Sequence, residues 1–173
     1  MKKEIVKDLR TLLLNEKQVL QCINRIAYQI YEDNSDEKEI ILAGIAKSGY
    51  LLCEKLALTI QTISPLKVLL TEVIVDKHSQ VNNEISISLN REQLQKKVII
   101  LVDDVLNSGK TLMYALKPFL AADIKKIRTV VLIDRNHKRF PVATDFTGIT
   151  LSTTLQEHVS VEFDKTGATA WLS

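Results

Sequence analysis

Two adjacent carboxylates, Asp103 and Asp104, follow directly on five branched apolar residues, Val98 to Val102. Such a run reads as a strand buried on both faces of a parallel sheet. The acids therefore fall at its carboxyl end, the edge where open α/β sheets bind their ligands. The next polar stretch, Asn107, Ser108, Gly109, Lys110 and Thr111, is short and centred on a glycine, and the apolar pattern resumes at helical spacing from Leu112. A tight turn into a helix start presents free N–H groups and a positive dipole end, which suits a phosphate. Gly109-Lys110-Thr111 also looks like the end of a nucleoside-triphosphate P-loop, but that loop needs a glycine five positions before Gly109. Asp104 stands there, and the P-loop reading fails.

A second strand, Glu39 to Ile45, runs into Ala46, Lys47, Ser48 and Gly49, with a helix expected from about Tyr50 to Gln61. Gly44 and Gly49 around a lysine make this a candidate anion site. The alternative is an ordinary strand-to-helix turn with Lys47 solvated.

The other elements would carry these two turns. Leu12 to Leu14 reads as a short strand, and Asn15 as an N-cap with Gln18 completing a capping box,. Val19, Ile23, Ile26 and Ile30 then recur at helical spacing to about Asp33,. Leu66 to Val75 is a strand, 76–95 is polar and without helical period, Thr111 to Ala121 is a helix, and Thr129 to Ile133 is a further parallel strand,. Ile149 to Leu151 is a short apolar segment, and Val159 to Phe163 with Trp171 would close the sheet or its edge.

Composition bounds the class. The chain has 173 residues, 46% hydrophobic and 25% charged, with a net charge of +2. That length fits one domain, 1–173, able to bury its own core. The charge balance announces no nucleic acid or anionic membrane. No apolar run reaches the roughly 18 residues of a membrane span, and Met1 to Asp8 mixes acids and bases, unlike a secretory signal,. Cys22 and Cys53 lie in apolar helical patterns without metal-ligand spacing, so buried reduced thiols are expected,. These features point to the cytoplasm.

The order of four apolar residues, two acids, two apolar residues and a small polar loop with glycine resembles the 5-phosphoribosyl-1-pyrophosphate (PRPP) motif of type I phosphoribosyltransferases. A narrower likeness covers roughly Leu12 to Leu172. Asp134-Arg135-Asn136-His137-Lys138 and Phe140 to Gly148, with Asn24 to Ala27 near the start, resemble the bacterial pyrimidine operon attenuator family, whose members are also uracil phosphoribosyltransferases. The resemblance implies an α/β three-layer sandwich with a central, mostly parallel sheet and a flexible hood at about 76–95. It implies transfer of the phosphoribosyl group from PRPP to a nucleobase, uracil first, with Mg²⁺ as cofactor.

Roles carried over by the same likeness follow the motifs. Asp103 and Asp104 would bind the ribose hydroxyls, directly or through water on Mg²⁺, and favour positive charge in the transition state. Asn107, Ser108, Gly109, Lys110 and Thr111 would hold the 5′-phosphate. Ala46, Lys47, Ser48 and Gly49 would hold the pyrophosphate, and Lys77 and His78 would serve at the base of the hood. Ile133, Asp134, Arg135 and Leu151 would frame the base. A homodimer or higher homo-oligomer is implied, and RNA as a further partner. Of the basic residues expected on an RNA-binding face, Arg25 and Lys138 fit, while Ala143 and Ile149 do not. The family's pyrophosphate loop commonly carries a lysine and an arginine flanking a threonine, where this chain has Ala46 and Ser48 around Lys47. Purine-salvage relatives place an aspartate where this chain has Asn107, and an amide cannot exchange a proton as a carboxylate does. A non-catalytic or weakly catalytic RNA-binding regulator of pyrimidine genes and a hypoxanthine/guanine phosphoribosyltransferase are the alternatives.

Overall fold

The computed structural model describes residues 10–75, 85–152, 154, 156–165 and 167–173. The chain opens with β1 (Thr11–Leu14) and α1 (Glu16–Asp33), then β2 (Glu39–Ile45), α2 (Ala46–Ile63) and β3 (Lys67–Val75). It continues through β4 (Ile85–Ile87), α3 (Arg91–Leu94), β5 (Val98–Leu106), α4 (Lys110–Ala115) and α5 (Lys117–Leu120). The last elements are β6 (Lys126–Asp134), β7 (Phe146–Thr150), β8 (Val159–Phe163) and β9 (Ala168–Leu172).

Period-two burial on both faces builds the central sheet. In β2, Ile40 and Leu42 join one core and Ile41, Ala43 and Ile45 the other. In β5, Val98, Ile100 and Val102 face the first core and Ile99 and Leu101 the second. A strand with both faces apolar can sit only between two covering layers. Helices α1 and α2 cover one side, and α4 and α5 contribute Leu112, Ala115 and Phe119 to the other. The sheet is six-stranded, ordered β4-β3-β2-β5-β6-β7, parallel except for the edge strand β4. This is the three-layer α/β sandwich expected from the sequence. No helix among the described residues is long and apolar enough to cross a membrane.

Several boundaries differ from the sequence reading. Asn15 caps α1 with the expected box: its side chain accepts from the Gln18 N–H, and the Gln18 side chain accepts from the Asn15 N–H, each at 2.9 Å. Helix α2, however, starts at Ala46 rather than near Tyr50. The expected helix Thr111 to Ala121 is two pieces meeting at Leu116, because Pro118 has no N–H to continue the ladder,. The segment read as polar and without helical period includes, among its described residues, β4 and a single turn, α3, capped by Asn90 with Gln93. Strands β8 and β9 do not extend the main sheet. They form a separate antiparallel sheet with β1, ordered β1-β9-β8. Cys22 and Cys53 are free and buried, as expected.

Candidate active site

Parallel pairing of β2 with β5, and of β5 with β6, brings three carboxyl ends to one edge. Asp103 and Asp104 lie in the last part of β5, which runs on to Leu106 rather than ending before them. Asp103 accepts at Oδ1 from the Asp104 N–H (3.0 Å), and Asp104 accepts at Oδ1 from the Val105 N–H (2.9 Å). Each carboxylate is thereby steadied by one oxygen. Burial, and then the charge of Asp104 beside it, push the Asp103 carboxyl well above the usual carboxylate range,. Positive charge arriving next to this acid would favour its ionised form.

The bend after β5 is held from outside. The Ser108 carbonyl accepts from the backbone N–H groups of Arg139 (2.9 Å) and Phe140 (3.1 Å). Gly109 turns the chain into α4 at φ 83°, a left-handed conformation that a side chain would strain,. Asp103, Leu106, Asn107, Ser108 and Thr111 are among the walls of a small cavity of about 40 Å³ on this edge.

The second turn packs against the first. Gly49 lies in the first turn of α2, not in a loop before it, and is buried. A Cβ there would sit 2.6 Å from the Val102 carbonyl oxygen and 3.5 Å from the Asp103 Cα. Glycine thus lets the start of α2 rest on the backbone of β5 beside the acids. Ile45 gives this helix no side-chain cap, so the first amides of an 18-residue helix keep their donors for a ligand,. Ala46 itself takes φ 52°, a conformation that costs a non-glycine residue roughly 1–2 kcal/mol,.

The residues after β6 are tied closely into the fold. Asp134 is buried; it accepts from the Asn136 N–H at 2.8 Å and pairs with the Lys138 ammonium at 2.9 Å. Arg135 is also buried, donating to Asn107 Oδ1 (2.8 Å) and to the carbonyls of Thr154 (3.0 Å) and Glu157 (2.6 Å). Ile133 is wholly buried in the core, and Leu151 packs against it from partial exposure. Asp145 shapes the motif after β6 by accepting from the Thr129 N–H (2.8 Å) and hydroxyl (3.0 Å). Arg25 is spent on the edge strand, donating to the Thr147 and Gly148 carbonyls. Lys77 and His78 lie outside the described residues. Two features were not read from the sequence: the brace from Arg135 to Asn107, and the pinning of Ser108 by Arg139 and Phe140. A buried arginine beside a strand end was the one available signal.

Residues 11–165 match the model of the phosphoribosyl transferase domain. The chain belongs to this family. Among curated relatives, the bifunctional protein PyrR of Clostridium kluyveri is 32% identical over 163 residues, covering 91% of this chain and 92% of the relative. PyrR of Clostridium acetobutylicum is 32% identical over 161 residues, covering 89% and 90%. Solved structures agree on the fold: a hypoxanthine-guanine phosphoribosyltransferase from Bacillus anthracis superposes with a TM-score of 0.70 at 20% identity, over 81% of each chain. The hypoxanthine phosphoribosyltransferase of Trypanosoma cruzi gives 0.72 at 16% identity, over 92% of this chain and 95% of that one. The protein is a PRPP-dependent phosphoribosyltransferase of type I fold.

Proposed function

We propose that the protein transfers the 5-phosphoribosyl group of PRPP to uracil, giving uridine monophosphate and pyrophosphate. The observation that carries the choice of base is Asn107, an amide held in place by Arg135 where a purine enzyme of this fold would carry a carboxylate. Likeness to PyrR over nine-tenths of the chain, including the segment Asp134 to Gly148, supports the same choice.

In this reading the C1′–oxygen bond to pyrophosphate breaks and a C1′–nitrogen bond to the base forms, through an oxocarbenium-like transition state. Catalysis is then mostly positioning and electrostatics. The bend Asn107 to Thr111 holds the 5′-phosphate through its amides and the Ser108 and Thr111 hydroxyls, while the first amides of α2 and Lys47 hold the leaving pyrophosphate. Asp103 and Asp104 hold the ribose hydroxyls. The surroundings of Asp103 shift its carboxyl upward, and a cationic sugar carbon beside it favours the anion,.

The same two carboxylates would hold Mg²⁺. Each accepts one backbone N–H at Oδ1, and among the described residues no third His, Cys, Asp or Glu joins them in a metal-binding group. Such a donor pair suits a hard cation that takes its other ligands from substrate and water. Bound there, Mg²⁺ supplies neutralisation of the pyrophosphate charge.

Further parts of the reading rest on the family likeness: one phosphoribosyltransferase domain over 1–173, a closing hood at 76–95 with Lys77 and His78, a homo-oligomer and a cytoplasmic place of work. Arg25 already serves β7, which favours the enzyme over an RNA-binding regulator. Incubating the protein with PRPP, Mg²⁺ and a panel of bases, and following pyrophosphate release, tests the proposal. Turnover with uracil alone supports it. Turnover with hypoxanthine or guanine reverses the base, and no turnover with any base removes the activity.

A further inference from the structure

Arg135 is fixed from several sides. Its backbone N–H donates to the Leu106 carbonyl (3.1 Å), and one guanidinium nitrogen donates to the carbonyls of Thr154 and Glu157. The other terminal nitrogen meets Asn107 Oδ1 at 2.8 Å. A guanidinium has donors and no acceptor, so the Asn107 amide can show it only its oxygen. The amino group, Nδ2, is left out of that contact and has no hydrogen-bond partner among the described residues. Asn107 is exposed and forms part of the wall of the cavity that also contains Asp103 and Ser108. The outcome is a donor of fixed polarity beside the paired acids.

We propose that Asn107, oriented by Arg135, is the specificity donor of the site, reading a carbonyl oxygen next to the attacking ring nitrogen of the base. The inference rests on the proposed function and deepens it. A 2-oxopyrimidine carries such a carbonyl beside N1. The five-membered ring of a 6-oxopurine carries only a second ring nitrogen, protonated in one of its tautomers, which an N–H donor repels and a carboxylate accepts. Arg135 is then a positioning residue. It touches no substrate and acts by forbidding the amide to flip. Asn107→Asp keeps the partner for Arg135 but replaces the amino group by a carboxylate oxygen.

The same donor could instead meet a phosphate oxygen, so the test separates the two acceptors. Calorimetry measures uridine 5′-monophosphate and ribose 5-phosphate on the wild type and on Asn107→Ala, Asn107→Asp and Arg135→Lys. The side chain of residue 107 is exposed, so its variants fold even if the arginine variant does not. Expected is a loss of roughly three- to tenfold for uridine monophosphate with Asn107→Ala, the size of one net hydrogen bond, with ribose 5-phosphate unchanged. Asn107→Asp should lose more for the uridine nucleotide, because a carboxylate set against the C2 carbonyl oxygen repels it. Arg135→Lys should show part of the alanine effect on uridine monophosphate alone, which a merely structural role would not confine to the base. Equal losses for both ligands with Asn107→Ala would assign the amide to phosphate and overturn the inference. A wild type that binds neither ligand defeats the parent reading and this one with it, whereas a wild type that binds both and variants that bind like it defeat this one alone.

Discussion

Gly49→Ala sets two effects against each other at the seam of the site. Alanine inside a helix is favoured over glycine by about 1 kcal/mol. On that ground alone the variant would be more stable. The new Cβ, however, would stand 2.6 Å from the Val102 carbonyl oxygen and 3.3 Å from the Gly44 carbonyl carbon. The closest favourable carbon–oxygen contact is about 3.3 Å, so the start of α2 must retreat by roughly 0.7 Å. Both obstacles are backbone, and neither can swing aside. Overpacking of this kind costs roughly 1–3 kcal/mol, and with no soft neighbour the upper half applies. The net is a loss of roughly 1–2 kcal/mol, or a melting temperature lower by about 2–8 °C for a chain of this size. The same retreat carries the amides of Ala46 to Ser48 away from the acids. Misplacement approaching 1 Å can lower a rate by about a hundredfold, so kcat/KM for PRPP should fall at least about tenfold, chiefly through KM. Thermal melts and initial rates of pyrophosphate release with PRPP varied give both readouts. A variant that melts at or above the wild type with an unchanged KM would refute the reasoning, because helix propensity would then outweigh a contact shown to be slack.

Three other outcomes follow from the site and its supports. Asp104→Asn should lower turnover on the order of 10²–10³-fold while its melting temperature stays near the wild type, checked by steady-state kinetics beside a thermal melt. Asp103→Asn should melt higher than the ligand-free wild type at pH 7. The buried carboxyl is harder to ionise folded than unfolded, so wild-type stability falls as pH rises above the unfolded value of about 3.9,; melts across pH should show the gap closing below about pH 4. Asp33 is the opposite case: its hydrogen bond to Arg128, and then Lys126, hold its carboxyl below the usual range. Its stabilisation is present above about pH 3.9 and fades as pH falls through the depressed value, so Asp33→Asn should cost about 0.5–1 kcal/mol at pH 7, less in high salt, by urea titration.

The sequence shows most plainly what depends on local pattern. Asn15 and Gln18 predict their box because a cap is written in four residues,. Glu39 to Ile45 gives its strand end to end because both faces are apolar,. Asp103, Asp104 and the glycine bend come as one contiguous motif, and the structure places them on the edge that motif implies. Gly49 misleads for a physical reason. Glycine next to a lysine reads as a loop, while here it is helical and small so that α2 can touch β5. Val159 to Phe163 is read as a strand, but the choice between main sheet and separate sheet depends on its pairing with β9, which in turn pairs with β1 at the other end of the chain, and no local pattern encodes that,. Arg135 is named beside the base in the sequence reading, but its bracing contacts are missed. Its role joins Asn107 to the carbonyls of Thr154 and Glu157, and only the folded chain brings these together.

The most direct test is a crystal structure of the protein with PRPP and Mg²⁺. The account places the 5′-phosphate within hydrogen-bond distance of the Ser108 to Thr111 amides, the pyrophosphate at the first amides of α2, and the ribose hydroxyls on Asp103 and Asp104. Density for the sugar phosphate elsewhere, with these two carboxylates facing away from it, would contradict the assignment.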